Sequence, residues 1–596
     1  MPSTTEIPTF FGPSDSPLFG VVHLPTDNRI RGGVLICRSL GKEGIDTVRI
    51  ERILAEDLAL RGFGVLRFDY LGFGDSAYSQ VRDDAVSNWK ASVGHAVDYL
   101  IQIGAATITA VGIRAGCLIL DAYLTRSSSV KHAVYLDPVG TGRRYIREHA
   151  ALHRLSIGED AQIPGEVSVI GGRFSDRAAA EFSALQMSAD PVRADGVDHV
   201  LLLGRPGETD KRLTALASAE GVDVVTSSLL QECDKPRDVL LPVPFDAIDS
   251  ITGWIDKNTS TSTHEVVPRY LTTVIMPAED NGANVVESIE RIEPNGLFAI
   301  RTTGIEKNTV PTKTVVFFVT SNDSHVGPNR EWVELSRRIA TAGSQALRWD
   351  PTGLGLSGPV NRGAWRRTYT KSGITESIAV ARHACRDAST LQLVGTCSGA
   401  WYAAHTALKV GAGSAVLVNL SVWNWRAVST LLWEWRSRQQ AMLANRAART
   451  DNHTDGVDGA GFRSAVTRLK PLLNVARRRT KNFMHQRVPR PFLWMSSQVG
   501  LAYVPERILA PLARRGTDAT LIVCPEDAEG FLVRGGPAAM DRLRSTSHPP
   551  RLLAPPAGDH AAHHSVMVAA VRNVILPVAA DSRSDSIPQS SGATND

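Results

Sequence analysis

Cysteine is scarce in this chain. There are six in 596 residues, at Cys37, Cys117, Cys233, Cys385, Cys397 and Cys524. None forms a Cys-x-x-Cys pair or stands with histidine at zinc-site spacing, so no disulfide framework or structural metal module is expected. So sparse a set suits a reducing compartment. Long apolar runs are missing as well. A membrane-spanning helix needs about 18 or more consecutive apolar residues, and no stretch supplies them, so no membrane span is expected. The opening residues, MPSTTEIPTFFGPSDSPLFG, lack a basic patch followed by an apolar core. No signal peptide is therefore expected, and a cytoplasmic location is. Excess charge is small: the net charge of +4 does not make a polyelectrolyte binder, and no nucleic-acid recognition motif occurs, so no nucleic-acid partner is expected.

What is present is globular and duplicated. An apolar fraction of 43% and a charged fraction of 21% describe a folded chain, and its length requires more than one core. Near the front stands GFGVLRFDYLGFGDSA, with Asp69, Gly72, Gly74 and Ser76; far downstream stands GSQALRWDPTGLGLSG, with Asp350, Gly353, Gly355 and Ser357. Each follows a helix-like segment that stops at a glycine, RIERILAEDLALRG and NREWVELSRRIATAG, and before each of these is an apolar strand, GGVLICRSL and TVVFFVTSN. Further on, each copy has another strand running into a glycine turn, ATITAVGIRAG and LQLVGTCSG. Arg114 in the first of these turns lies 45 residues after Asp69, and Cys397 in the second lies 47 after Asp350. Strand and helix alternating at this rhythm predict a parallel sheet with helices on its faces, twice over. The Ser/Thr-rich stretch GWIDKNTSTSTHEVVPRY places the boundary near residue 260. The expected organisation is thus 1–260, 261–578 and a polar, Ser-rich, disordered tail over 579–596.

The order Asp-x-x-Gly-x-Gly-x-Ser, then Gly-x-nucleophile-x-Gly, resembles the α/β-hydrolase superfamily. The resemblance implies a fold class of α/β type: two tandem α/β-hydrolase-like domains, each a mostly parallel sheet flanked by helices, with a helical cap at about 424–495 in the second. Within that superfamily, SHVGPNREWVELSRRIATAGSQALRWDPTGLGLSG is similar to hydrolases found with bacterial exopolysaccharide and exosortase gene clusters, and the first half looks like a sister group. The glycines of a nucleophile elbow let strand and helix approach a strained turn.

The resemblance also assigns roles. In the first copy Arg114 occupies the nucleophile position, where a permanently protonated guanidinium cannot attack a carbonyl, and no histidine follows in VDVVTSSLLQECDKPRDVLLPVPFDAIDSITGW. That copy reads as degenerate. Arg114 is either a structural ion pair or an anion-binding group at a helix N-terminus. In the second copy Cys397 is the expected nucleophile, His560 in GDHAAHH the expected base, and Asp527 in CPEDAEG its orienting acid. His563 and His564 are expected to be exposed residues beside the helix start. The oxyanion hole is assigned to the backbone N–H of Ser398 and to Ser321 or Asn322 in the loop after TVVFFVTSN. No metal or redox cofactor is implied.

The region between SAVLVNLSVWNWR and RGTDATLIVC opens with Trp423, Trp425, Trp433 and Trp435 and is rich in arginine. It is read either as a solvated surface or as a lid that attracts an anionic substrate, its aromatics lining a pocket. The expected function is acyl processing of an ester or thioester, small or carrier-bound, through an acyl-enzyme, either hydrolysed or transferred. An elbow cysteine occurs in dienelactone hydrolases and in polyhydroxyalkanoate synthases, which do the one and the other. The opposing reading is a non-catalytic scaffold in a biosynthetic assembly.

Overall fold

A computed structural model describes residues 4–125, 129–158, 162–191, 196–232, 242–277, 283–305, 311–320, 323–360, 362, 368–424, 490–498 and 503–576. The first eight-stranded sheet is built from β1 (Thr4–Phe11), β2 (Leu18–Pro25), β3 (Gly33–Cys37), β4 (Gly64–Phe68), β5 (Ile108–Ile113), β6 (Val130–Leu136), β7 (His199–Gly204) and β8 (Val222–Thr226). Their order is β1-β2-β4-β3-β5-β6-β7-β8. The second, nine-stranded sheet uses β9 (Thr273–Met276), β10 (Val285–Ile292), β11 (Leu297–Gly304), β12 (Thr314–Phe318), β13 (Gln345–Trp349), β14 (Leu391–Thr396), β15 (Ser414–Val418), β16 (Asp518–Ile522) and β17 (Arg551–Leu553). Its order is β9-β10-β11-β13-β12-β14-β15-β16-β17. From β10 onward the second order repeats the first. In both, an antiparallel hairpin leads into parallel strands. The parallel strands are covered on both faces, which is why GVLIC and TVVFF are buried at every residue and show no alternation.

The duplicated motif has a physical cause. In each copy the aspartate carboxylate folds back under its own loop. A Cβ on Gly74 would lie 1.8 Å from Asp69 Oδ2, and one on Gly355 would lie 2.0 Å from Asp350 Oδ2, so only glycine fits. The carboxylate accepts the backbone N–H of Asp75 in one copy and of Leu356 in the other, at 3.1 and 2.9 Å. The serine hydroxyl then donates to the aspartate carbonyl, and it accepts the N–H of Phe19 or Phe298 in the hairpin. The motif is therefore a lock between strand end, loop and hairpin.

The two copies pack directly against one another. Phe19 and Phe298 meet at 6.0 Å between ring centroids, and one apolar core runs from Phe10 and Tyr70 through to Phe298, Ile300 and Leu356. Polar contacts cross in both directions. Arg52 of helix α1 (Gly41–Leu60) donates to the carbonyls of Gly355 and Gly358 and pairs with Glu6. Arg337 of α4 (Glu331–Thr341) donates to the carbonyls of Asp75 and Ser76 and pairs with Glu287. The fully buried Arg348 joins Asp75 and Glu287. The same sequence interval separates Glu6 from Glu287 and Arg67 from Arg348, so the contact pattern is duplicated with the fold.

The connector differs from expectation. The stretch read as a linker begins inside a helix, α3 (Phe245–Asn258). Beyond residue 260 the chain still packs on the first half: His264–Glu265 pairs with Arg29–Ile30, Val266 is buried in the first core, and Leu271 exchanges hydrogen bonds with Thr9 and Phe10. Apolar Val266 and the pairing of extended backbone outweigh the polar composition of its neighbours. Of the expected cap, Asn424 and the helix Arg490–Gln498 are described; Trp425, Trp433, Trp435 and the 579–596 tail lie outside the described residues. Among the described residues no helix is long and apolar enough to cross a membrane.

Burying Asp75 and Glu287 against Arg348 makes the junction sensitive to loss of one partner. Arg348→Met should destabilise the protein by about 3–5 kcal/mol, measured by urea unfolding. The junction histidine, His325, is also buried. Burial alone would lower its pKa, but Asp350 and Asp75 outweigh that and push it up to about 10. Its contribution is complete below the free-imidazole value of about 6.5 and is lost as pH rises toward about 10. His325→Gln should therefore flatten the decline in unfolding free energy that the native protein shows between about pH 7 and about pH 10.

Candidate active site

Cys397 sits between β14 and helix α5 (Ser398–Val410), and Arg114 between β5 and α2 (Ala115–Leu124). Their backbones are nearly superimposable: φ/ψ of 54°/−113° for Cys397 and 51°/−119° for Arg114. A positive φ at a non-glycine residue is strained, and close packing enforces it here. A Cβ on Gly395 would lie 2.3 Å from the Gly399 carbonyl carbon, and one on Gly399 would lie 2.4 Å from the Phe318 carbonyl oxygen. The N–H of Cys397 is held by the Val418 carbonyl at 2.9 Å. Strand and helix thus meet so closely that the thiol is lifted onto the corner, where it is partly exposed.

His560 and Asp527 come to the same corner from the C-terminal part of the chain. Nδ1 of His560 and Oδ2 of Asp527 are 2.6 Å apart. The pKa of His560 is raised to about 10, first by its hydrogen bond to Asp527 and then by the neighbouring Cys397 thiol, with burial acting in the opposite direction. The three residues singled out from sequence are therefore brought together. Ser398 is buried as the first residue of α5, and its backbone N–H belongs to the open first turn of that helix. Ser321 and Asn322 lie outside the described residues.

Several positioning groups carried no sequence signal. Asn419, at the end of β15 with φ of 50°, donates from Nδ2 to the carbonyls of Asp559 and His560 at 3.0 and 2.8 Å, and its Oδ1 accepts the N–H of Cys524 at 2.9 Å. It ties the histidine loop to the strand before the acid. Glu526 accepts the backbone N–H of His560 at 2.9 Å. Cys524 hydrogen-bonds Asp527 Oδ2 at 3.3 Å, and burial pushes its thiol up to about 12, so it stays protonated as a donor. Tyr369 is in contact with Trp401, and the pKa of its phenol is raised by burial and then by the charge of Cys397. An Asn at a strand end or a lone Tyr in a loop is too common a pattern to be found without the fold.

Two expectations are corrected. His564 is buried, not exposed; its Nδ1 accepts the N–H of Val566 and caps helix α6 (Ser565–Ile575), and its own N–H is held by Asp559. His563 is also largely enclosed, with its carbonyl held by Asn329 and its Nδ1 near Asp559. Trp423, expected in a lid, is sealed in the core against Phe531.

In the first copy the corner is closed. Arg114 donates to Glu43 at 2.8 and 3.0 Å and to Asp137 at 3.3 Å. Glu43 also meets His149, and Asp137 is clasped by Arg205 at two oxygens, 2.7 Å each. Burial alone would favour protonated Glu43, but Arg114 and His149 hold it well below the usual carboxylate range. The N–H of Ala115, equivalent to that of Ser398, is met by Ser39 Oγ at 3.3 Å. Carboxylates already fill the place where an anion would bind, so the geometry is that of the structural ion pair. A cavity of about 140 Å³ opens nearby between the copies, lined by Arg38, Asp69, Asp323 and His563 among others. Neither Cys397 nor His560 reaches it.

No protein-family model matches the chain, and no curated protein sequence matches it. Solved structures with a similar course of chain include mouse alpha/beta hydrolase domain-containing protein 10, at 17% identity over 42% of this chain and 97% of that one, with a TM-score of 0.29. An esterase domain of a Rhodothermus marinus protein is 16% identical over 43% and 98%, with a TM-score of 0.28. The thioesterase domain from the curacin biosynthetic pathway is 11% identical over 43% and 100%, with a TM-score of 0.27.

Two substitutions separate the corners. Arg114→Met should cost about 3–5 kcal/mol by leaving Glu43 and Asp137 without their cation, while leaving the reactivity of Cys397 in the still-folded protein unchanged. Asn419→Ala should cost about 1–3 kcal/mol and, unlike Arg114→Met, should slow alkylation of Cys397 as the His560 loop loosens. Calorimetry and timed peptide mass spectrometry read the two effects.

Proposed function

We propose that the second half is an acyl-processing enzyme, acting on an ester or thioester through Cys397, His560 and Asp527. The observation that carries this reading is the thiol on a strained strand–helix corner, close to an imidazole whose Nδ1 is held 2.6 Å from a carboxylate. The imidazole accepts the thiol proton on Nε2, and Asp527 keeps Nδ1–H pointed at itself and supports the imidazolium. The sulfur then attacks the carbonyl carbon. Negative charge passes to the carbonyl oxygen, where the N–H of Ser398 and a second donor from the loop after β12 would hold it. Collapse expels the alcohol or thiol, which takes the proton from His560. Water, or an acceptor alcohol or amine, then gives its proton to His560, attacks the thioester carbon and releases Cys397.

A thiol exchanges readily with thioesters, which favours a thioester donor. The arginine-rich insertion between β15 and β16 suggests an anionic or carrier-bound one. The first half is read as a pseudoenzyme, because Arg114, Glu43 and Ser39 occupy the positions a substrate carbonyl would need.

Incubation with p-nitrophenyl esters and acyl thioesters should add one acyl group, found by peptide mass spectrometry on Cys397. Cys397→Ala should abolish it, and Asp527→Asn should slow it by about 10²–10⁴-fold. An adduct that persists in Cys397→Ala sinks the assignment of the nucleophile, and no adduct with any donor favours a non-catalytic scaffold.

A further inference from the structure

The acid of the proposed site is not held in place by enclosure. Asp527 lies in the first turn of the helix Pro525–Val533, and its side chain is 27% exposed. An aspartate carboxylate in contact with water turns about its last bond at little cost. Yet its Oδ2 stands 2.6 Å from His560 Nδ1. The same oxygen is met from the buried side by the thiol of Cys524, with Sγ at 3.3 Å, and Cys524 has no exposed surface. Among the described residues, His560 and Cys524 are the two side chains that hydrogen-bond this carboxylate.

The helix start does not engage the thiol. Cys524 stands just before the helix, where a serine or threonine side chain usually accepts a helix N–H. Here Pro525 has no N–H to offer, and those of Asp527 and Ala528 go to the Cys524 carbonyl at 3.1 and 3.0 Å. The side chain makes no cap bond. The Cys524 N–H is taken by Asn419 Oδ1 at 2.9 Å. The sulfur hydrogen is left for Asp527, and burial, which pushes the thiol up to about 12, keeps it on the sulfur. These contacts close a ring. Asn419 holds the Cys524 N–H, the Cys524 thiol holds Asp527, Asp527 holds the His560 imidazole, and the His560 carbonyl returns to Asn419 Nδ2 at 2.8 Å. Each member of such a ring is fixed through its neighbours. Within it, the thiol alone restrains the carboxylate independently of the imidazole that the carboxylate must face.

We propose that Cys524 is a positioning residue for the reaction of Cys397: its thiol hydrogen holds Asp527 Oδ2 against His560, so that the imidazolium formed with the Cys397 thiolate keeps its carboxylate. This rests on the acyl-enzyme reading above and deepens it, because it gives a second sulfur a part that is not nucleophilic. Cys524 touches no reacting atom. Without its hydrogen the carboxylate turns toward water, the imidazolium is less supported, and less thiolate stands ready near neutral pH. In base the Cys397 sulfur ionises without help, and the difference disappears. The thiol also draws some charge from Oδ2, but S–H is a weak donor, so the fixed orientation outweighs that loss.

Alkylation by iodoacetamide reads the effect, because the Cys397 thiolate displaces iodide and no acyl transfer is needed. Rates are followed in the full chain by peptide mass spectrometry on Cys397, at about pH 6.5 and at about pH 9.5, the second about one unit above the ordinary thiol value. Cys524→Ala should slow alkylation by about threefold to about tenfold at the lower pH and leave it within about twofold at the higher. Cys524→Ser, which matches alanine in size but keeps a donor hydrogen, should stay within about twofold of the native protein at both. Cys524→Val carries the test if Cys524→Ala does not fold, as judged by circular dichroism at the assay temperature. Asp527→Asn should show the same pH-dependent fall, by about tenfold or more at the lower pH. An unaltered rate in folded Cys524→Ala or Cys524→Val, equal falls at both pH values, or an equal fall in Cys524→Ser overturns the proposal and leaves the nucleophile assignment standing. If Asp527→Asn shows no pH-dependent fall, the triad of the acyl-enzyme reading fails, and this proposal with it.

Discussion

Three carboxylates, Asp75, Asp350 and Glu287, are buried where the two sheets meet, and His325, Arg348 and Arg337 are the cations that make this possible. Isolated buried charges are costly, and a matched set becomes tolerable only when its geometry is satisfied on every side. That condition defines a single relation between the halves. A slip of either sheet would leave a carboxylate facing hydrocarbon. The apolar contact of Phe19 with Phe298 and the shared core provide attraction without direction; the ionic cluster supplies the register.

The two corners show how far backbone and side chain can be separated. Arg114 and Cys397 have nearly the same strained φ/ψ, and glycines hold both by the same close approach of strand and helix. The strain therefore belongs to the fold and does not depend on which side chain stands at the corner. What differs is the surrounding charge. Around Cys397 a carboxylate faces an imidazole and the thiol remains partly exposed. Around Arg114 two carboxylates face a guanidinium and a serine hydroxyl meets the helix N–H. At the first corner Glu43 and Asp137 neutralise the buried arginine.

Much of this could be read along the chain, for a physical reason. The Asp-Gly-Gly-Ser motif is local: its carboxylate, glycines and serine lie within one turn, so their spacing survives as a pattern. The elbow is local as well, and the apolar runs of the parallel strands announce themselves by burial on both faces. Asn419, Glu526 and Tyr369 left no such trace, since each acts on residues distant in sequence. His564 was misjudged because a histidine's exposure depends on what lies above it, here the turn formed by Asp559. The pairing of His264–Glu265 with Arg29–Ile30 is a non-local event, so the polar composition of the connector gives no sign of it.

By itself, the order of residues determined that the chain folds as two similar α/β units, that one elbow carries a sulfur and the other a guanidinium, and that an acid and an imidazole follow the sulfur at suitable distances. These are consequences of periodicity and of turns that only glycine can make. Tertiary structure alone decided that His560 meets Asp527, that the corner at Arg114 is filled by carboxylates of its own copy, and that Asp75 reaches across to His325. Such contacts join residues up to 250 positions apart, and no local rule of chain geometry specifies which of many carboxylates will meet a given cation once the sheets have packed.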